Sequence, residues 1–590
     1  MIRNLSILLV LAAVIALPFA FRQETGAREW KPGDPVLVII TPMNEAIRHE
    51  YALAFSRWHA AKYGAPVKVD WRNIGGATEI MRYLTSEFAA SFRAWWTGRG
   101  LPWRPDGAAI ILNRSFDPDQ KPADADERDW RARREMYLAF RNTDDPQKFS
   151  SQMDLYFGGG AYDGDNATRQ GLLVPPWPAD EMPPDLVATP AGEELIPAGL
   201  SGDTWRTKTY YGTALSTFGI CYNRDRMRAQ GIEDAPARWE DLADPRWIGT
   251  LGLADPTKSG SIAKAFETIV QVQCRRAVEA AGFGPEAGEF ERRIAAARLA
   301  PGRLPADVPA AYQQAVEAGW EDGLRLIQKI GANARYFTDS ASKVPLDVGM
   351  GNAAAGLCID FYGRFEAQTS NGGRPNGAMA YLTPPGGSGV SADPVSLLRG
   401  APHRETAVRF IEFALGAEGQ KLWCYRVGAP GGPRKYALQR FPIRRDFYPA
   451  ENPAFRANYE RHRQHTTDDL GEPTLDMYRL ASEFEYHPRW TSGYYGLFRD
   501  LIRAMCMDSG AELRAAWRAI CAAGGPERCP RAMAALRRLP QAPEPLTWTS
   551  GLAMGRKYDR LDLLREWTVQ YRAQYAEAER LAREEAGARP

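Results

Sequence analysis

Short apolar runs that stop at glycine or proline alternate with longer helical runs from Pro35 to Leu415, and this order constrains the fold more than any other feature of the chain. Pro35-Val36-Leu37-Val38-Ile39-Ile40 reads as a buried strand, and Thr41-Pro42-Met43-Asn44 opens a helix predicted from Glu45 to Tyr63. Val67 to Trp71 reads as a second strand, after which Gly75-Gly76-Ala77-Thr78-Glu79 opens another helix. Strand, loop and helix in series predict a parallel sheet, with ligands at the carboxyl ends of its strands. Thr41, Asn44, Gly76 and Thr78 end strands or open helices and are therefore expected to face a ligand. Met153 to Phe157, followed by Gly158-Gly159-Gly160, restores a strand with a glycine-rich end and adds Gly159 and Gly160 to that set. Residues from about Ser91 to Pro146 break the rhythm with Trp, Pro, Arg and Asp and read as an insertion. Its Trp95, Trp96 and Trp103 are expected to pack against a lobe or the C-terminal helices, because indoles left in water invite aggregation.

The second half of the alternation begins at Tyr211 to Asn223, a run too long for one short strand and long enough to cross between lobes. Gly252-Leu253-Ala254 then stops at Asp255-Pro256, since the residue before proline is pushed out of helical conformation. Thr257-Lys258-Ser259-Gly260-Ser261 leads into the periodic run Ile262 to Val270. Ser259 or Ser261 can cap that helix, Gly260 lets a ligand approach free backbone N–H groups, and the helix dipole adds positive potential. Such a corner suits an anion or a strong acceptor; an ordinary helix cap is the plainer reading of the same residues. Ala355 to Tyr362 reads as a strand, Met379 opens another, and the helix Glu405 to Leu415 closes the alternation. Beyond about Pro449 the pattern is helical and rich in aromatic residues, which predicts a C-terminal extension.

A chain of 590 residues needs more than one core, so two or three domains are expected. The net charge of +2 argues against a nucleic-acid-binding stripe. Arg3 ahead of the apolar stretch Leu5 to Phe21 reads as an export signal, or as an uncleaved membrane anchor, within residues 1–30. The seven cysteines are scattered, and only Cys521 and Cys529 look loop-like enough to bridge after export, with Cys506 an equal candidate partner.

Taken in order, several segments carry a family resemblance. Phe157-Gly158-Gly159-Gly160, Ser216 to Asn223, Trp239 to Pro245, Asp255 to Ser261, Ala332 to Phe337, Ile359 to Tyr362 and Phe410 to Gln420 together resemble the iron(III)-type group of ABC-transporter solute-binding proteins. The resemblance implies an α/β, two-lobed type 2 periplasmic binding fold with crossover strands that closes on a small-molecule ligand. It also implies a location in the periplasm or otherwise outside the cytoplasm, an ABC permease of the inner membrane as partner, no cofactor and no catalysis. A monomer is expected. The layout becomes lobe 1 at 33–165 and 379–448 with the insertion 91–146, a crossover region at 166–217, lobe 2 at 218–377 and the extension at 449–590.

Members of that group bind ferric iron, sugar phosphates, phosphonates or thiamine, so the fold does not name the ligand. Iron binders present two adjacent tyrosines where this chain has Phe361-Tyr362, and one phenol fewer weakens a site for a hard cation. An anionic or polyhydroxylated organic solute fits better, held by Lys258, Ser259, Gly260 and Ser261, with Ser216 at the crossover and Asp360, Tyr362 and Arg364 on the opposing wall. Asp360 also reads as a strand-end residue bonding a nearby loop. A ferric-iron binder and a membrane-tethered sensor are the alternatives. Enzyme patterns are weak: Ser261-Ile262-Ala263-Lys264 and Ser340-Ala341-Ser342-Lys343 both match Ser-x-x-Lys without its companion motifs, and Asp163-Gly164-Asp165-Asn166 has only part of a calcium loop.

Overall fold

The computed structural model describes residues 28–178, 183–300, 302–374 and 376–587. The apolar run read as a signal or anchor lies outside them. Among the described residues no helix is long and apolar enough to cross a membrane.

The first part of the chain runs β1 (Val36–Ile40), α1 (Glu45–Tyr63), β2 (Lys68–Arg72), α2 (Ala77–Gly98), α3 (Glu127–Arg141), β3 (Leu155–Phe157), α4 (Ala161–Gln170) and β4 (Leu173–Val174). Two long strands follow almost without a break, β5 (Tyr210–Ser216) and β6 (Phe218–Asn223). Next come β7 (Leu251–Ala254), α5 (Gly260–Ala280), α6 (Ala310–Ala332), β8 (Ala334–Thr338), β9 (Ala355–Ile359), α7 (Asp360–Ser370) and β10 (Met379–Leu382). The remainder holds β11 (Ser391–Leu398), α8 (Ala417–Cys424), β12 (Phe441–Pro442), α9 (Pro453–Arg463), α10 (Tyr495–Ile502), α11 (Gly510–Ala522) and α12 (Arg560–Gly587).

These strands form two main sheets. The first has the order β12-β5-β11-β3-β1-β2, with β4 also on β11; the second has the order β8-β7-β9-β6-β10. Strands β1, β2 and β3 pair in parallel, with Val38 opposite Asp70 and Ile39 opposite Leu155. Both sheets are mixed rather than purely parallel. Strand β11 runs antiparallel to β3 and β5, and β6 antiparallel to β9 and β10, because each arrives by crossing from the other lobe.

The chain crosses twice, at Thr217 between β5 and β6 and again at 383–390 between β10 and β11. This corrects two expected boundaries. Met379–Leu382 does not return to the first lobe but pairs with Ile220 to Asn223 in the second sheet, since the return turn lies only beyond it. Leu173–Val174, placed in a crossover region, instead pairs with Leu397 and Leu398 in the first sheet. The insertion is also more regular than its composition suggests. Helix α2 runs unbroken through Gly98, and α3 follows. Trp95, Trp96 and Trp103 pack around Phe92, with Phe140 and Phe149 edge-on to the same ring.

Separate lobe cores were expected as well. The buried apolar residues of both lobes and the extension instead join into one continuous cluster, which passes through crossover residues such as Phe218; a second cluster lies around α2 and α3. Buried side-chain amides fasten the extension to the second lobe. Gln328 Nε2 donates to Tyr575 Oη at 2.8 Å, Trp517 Nε1 to Asn333 Oδ1 at 2.9 Å, and Gln271 Nε2 to Thr491 Oγ1 at 2.8 Å. Cys521 and Cys506 remain free thiols, so neither pairing suggested for Cys521 is made.

Candidate ligand cleft

The lobes meet where α5 begins. Ser259 caps that helix, its Oγ accepting from Ile262 N at 3.4 Å and lying 3.1 Å from Ser261 Oγ. Gly76 caps α2 on the facing lobe, and a Cβ placed there would stand 3.0 Å from the Lys258 carbonyl, so the two backbones touch and the cleft is closed. Gly159 has φ of +81°, which an L side chain rarely adopts, and a Cβ there would lie 2.3 Å from Tyr156 Oη. That conformation starts α4 beside α5. Gly160 N donates to Asp163 Oδ2 at 3.3 Å, and the same oxygen is 3.7 Å from where a Gly260 Cβ would be. Asp163 therefore sets a carboxyl against the start of α5. Burial pushes that carboxyl up to about 6, against the pull of Arg499 and the Gly160 N–H.

A second polar group lies nearer the crossovers. Arg440, 1% exposed, donates to Ser216 Oγ at 2.6 Å and to Asp393 Oδ2 at 2.5 Å, and its guanidinium stands 4.2 Å from the Phe361 ring centre. Its Nε has no hydrogen-bond partner, and neither has the hydroxyl of Tyr156. Asp393 raises the pKa of Tyr156, of Tyr362 and of Asp163, so its charge is felt by both groups. Burial pushes the Tyr362 phenol up to about 12.

Other expected ligand contacts have structural roles. Asp360 Oδ2 accepts from Thr217 N at 2.7 Å and Thr217 Oγ1 at 3.2 Å, and Thr217 Oγ1 is 2.8 Å from Thr383 Oγ1. The Thr217 hydroxyl thus ties the two crossovers together and to Asp360; burial pushes the Asp360 carboxyl up to about 6 despite those bonds. Arg364 turns to the extension and pairs with Asp468, donating also to the Gln439 carbonyl at 3.1 Å. Thr41 Oγ1 donates to the Phe157 carbonyl at 2.6 Å, and Asn44 caps α1 through Ile47 N at 3.0 Å. Lys258 pairs with Asp339 at 2.9 Å on the surface. These are links within the protein, made because a buried or half-buried polar group needs a partner wherever the fold supplies one.

The extension supplies a contact that the sequence did not reveal. Arg499, on α10, donates from Nε to the Pro256 carbonyl at 2.5 Å and from Nη2 to the Thr257 carbonyl at 2.7 Å. The same Nη2 reaches Thr78 Oγ1 at 2.8 Å on the first lobe. Tyr495 Oη donates to the Gly260 carbonyl at 3.3 Å and its ring packs 4.7 Å from that of Tyr162. Nearby, Lys264 lies between Asp203 and Glu267 at 3.4 and 3.1 Å, with its Nζ 3.7 Å from the Tyr486 ring centre. Burial works against its charge, but the two carboxylates outweigh it and hold the ammonium protonated. Asp393, Arg440 and Arg499 were missed because no motif or spacing marks them, and Asp163 was read only as part of an incomplete calcium loop.

Both crossovers and the whole of the second sheet fall within one segment that matches a known family. Residues 202–448 match the family described as bacterial extracellular solute-binding protein. Over that segment the chain is similar to this family. A Haemophilus influenzae protein described as uncharacterized is 22% identical over 278 residues, which are 47% of this chain and 62% of that protein. Phosphoglycerate transport regulatory protein PgtC of Salmonella typhimurium is 22% identical over 235 residues, 40% of this chain and 44% of PgtC. The chain thus spans less than two thirds of the curated relatives it matches. Among solved structures, periplasmic binding protein AfuA of Actinobacillus pleuropneumoniae with fructose-6-phosphate is 16% identical, with a TM-score of 0.43 and coverage of 76% of this chain and 95% of AfuA. The matched family is described as extracellular.

Proposed function

We propose that the protein is the solute-binding component of an ABC importer and closes its lobes on a small anionic or polyhydroxylated organic solute. The observation that carries this reading is the pair of unsatisfied groups in the closed seam, the Tyr156 hydroxyl and Arg440 Nε. Buried polar atoms are costly unless bonded, and a polar solute between the lobes would satisfy them. The start of α5, with Ser259, Gly260 and Ser261, adds N–H groups and a positive dipole end for the anionic part of that solute. PgtC is named for phosphoglycerate transport and AfuA was solved with fructose-6-phosphate, and both solutes belong to this chemical class. A ferric site is disfavoured. Phe361, beside Tyr362 where a second phenol would stand, packs against the Arg440 guanidinium, so one anionic oxygen is missing and a positive charge lies close by. The partner is then an inner-membrane permease, with no turnover of the solute, and the working form is a monomer.

Calorimetry and native mass spectrometry of the full chain against 3-phosphoglycerate, fructose-6-phosphate, thiamine, a phosphonate and ferric citrate test this. Ser259→Ala with Ser261→Ala is expected to weaken a phosphorylated ligand by tenfold or more, roughly the loss of one or two hydrogen bonds to a charged group, with little change in melting temperature. Equal binding by this variant, or binding of ferric iron alone with loss on Tyr362→Phe, overturns the reading.

A further inference from the structure

Away from the cleft, a cavity of about 420 Å³ opens where α8, the segment Arg444–Asp446 and α9 meet. Its size is that of a small-molecule site. Three cations, Lys421, Arg444 and Arg461, line it against one carboxylate, Asp446. Arg444 holds Asp446 in a two-pronged pair, Nε to Oδ1 at 3.0 Å and Nη2 to Oδ2 at 2.9 Å, so those two charges offset each other. Lys421 Nζ stands 3.8 Å from the exposed Glu418, a long surface pair worth little in water. Arg461, exposed on the last turn of α9, makes no hydrogen bond or ion pair among the described residues. The cavity therefore carries surplus positive charge on its rim.

Its wall is held rigid. The His462 ring stacks on Phe447 at 3.8 Å and 10°, and its Nδ1 shares a hydrogen bond with Tyr425 Oη at 2.7 Å. Burial pushes the His462 pKa down to about 4, and Lys421, Arg444 and Arg461 push the same way while Asp446 opposes them. The imidazole is thus neutral at pH 7 and adds no charge of its own. Arg461 and His462 come from the extension, whereas Lys421 and Arg444 lie within the family-matched segment, so the cavity exists only where the two pack together.

We propose that this cavity is a second binding site, for a small soluble polyanion of the phosphate or polycarboxylate class, received by Lys421 and Arg461 against the fixed His462 ring. Neither cation is committed to a strong internal partner, while the groups behind them are immobilised. That is the division expected of a site that accepts an ion from solution. Nothing in it depends on the identity of the cleft ligand.

The test is histidine-ring NMR and calorimetry on the full chain with inorganic pyrophosphate and, separately, citrate. An anion at Lys421 and Arg461 favours the imidazolium, so the His462 midpoint is expected to rise from about 4 by one pH unit or more when the probe is bound. Lys421→Ala with Arg461→Ala should weaken the probe at least tenfold, and the interaction should fade with added salt. Because Arg461 is exposed at the cavity rim, Arg461→Gln alone provides a variant expected to fold normally and to bind more weakly. Absence of binding by either probe, binding that leaves the His462 titration unmoved, or undiminished binding by the double variant would each overturn the proposal.

Discussion

Two buried arginines fasten the closed cleft, and they do so differently. Arg440 lies at the crossover end, inside the segment shared with the family, and meets Asp393 and Ser216 on its own lobe. Arg499 lies at the outer end, on the extension, and spans the seam from Pro256 and Thr257 to Thr78. The first builds the lobe and meets the other at the ring of Phe361, its charge also acting on Asp360 and Tyr362. The second has carbonyl and hydroxyl acceptors on both sides, with no carboxylate bonded to it, so it resists opening without locking it. The matched segment thus holds both crossovers, and the added helices bridge the seam through Arg499.

If that division holds, the largest effect should come from Arg440. Removing one member of a buried ion pair leaves the other charge uncompensated, so Arg440→Ala should lose about 3–5 kcal/mol in urea unfolding. A loss under about 1 kcal/mol would show that Asp393 finds water instead.

Next in size is a pH effect on closure. Asp163 is half-buried against the other lobe with its pKa raised to about 6, so the closed state takes up a proton between the ordinary carboxylate value near 3.8 and about 6. Its contribution to closure is complete below about 3.8 and is lost as pH rises through about 6, at most about 3 kcal/mol by linkage. Small-angle scattering without added ligand should show the protein opening across that range, and Asp163→Asn should flatten the profile. An unchanged profile in the variant would assign the transition to another group, with Asp360 next in line.

Arg499→Ala should follow. Charge-assisted bonds contribute about 1.5–3 kcal/mol each, and only the Thr78 bond joins the lobes, so closure should weaken by about that amount. The radius of gyration should rise while the unfolding midpoint of the lobes barely moves. A global loss of stability instead would make Arg499 part of the core rather than a latch. The smallest effect should be that of Thr78→Val, about 0.5–1.5 kcal/mol in the same measurement, with no effect on α2 itself.

Regions of the molecule also differed in how legible they were. The strand and helix order from Val36 to Leu415 followed from apolar runs and their breakers, and the Ser259 cap followed from its place before a periodic run. Gly76 and Gly160 are where a helix start at a strand end should put them. At Asp360 and Arg364 the sequence left the partner open, because a strand-end position is the same whether the side chain faces a ligand, a crossover or the extension; the structure bonds them to Thr217 and Asp468. The regular helices of the insertion were hidden by its prolines, which lie in the loops on either side of α3 rather than within it.

By itself the sequence determined what is local: the α/β alternation, the helix caps and the crossover strands, since each depends on the pattern of near neighbours. Only the tertiary structure decided which polar residues share the seam. Thr217 and Asp360 are 143 positions apart and Thr78 and Arg499 are 421 apart, so no spacing rule connects them. Their meeting is set by how two sheets and a helical extension bury apolar surface together. The charges then bond to whatever that packing brings within reach, because a buried polar group left alone costs more than almost any partner it could find.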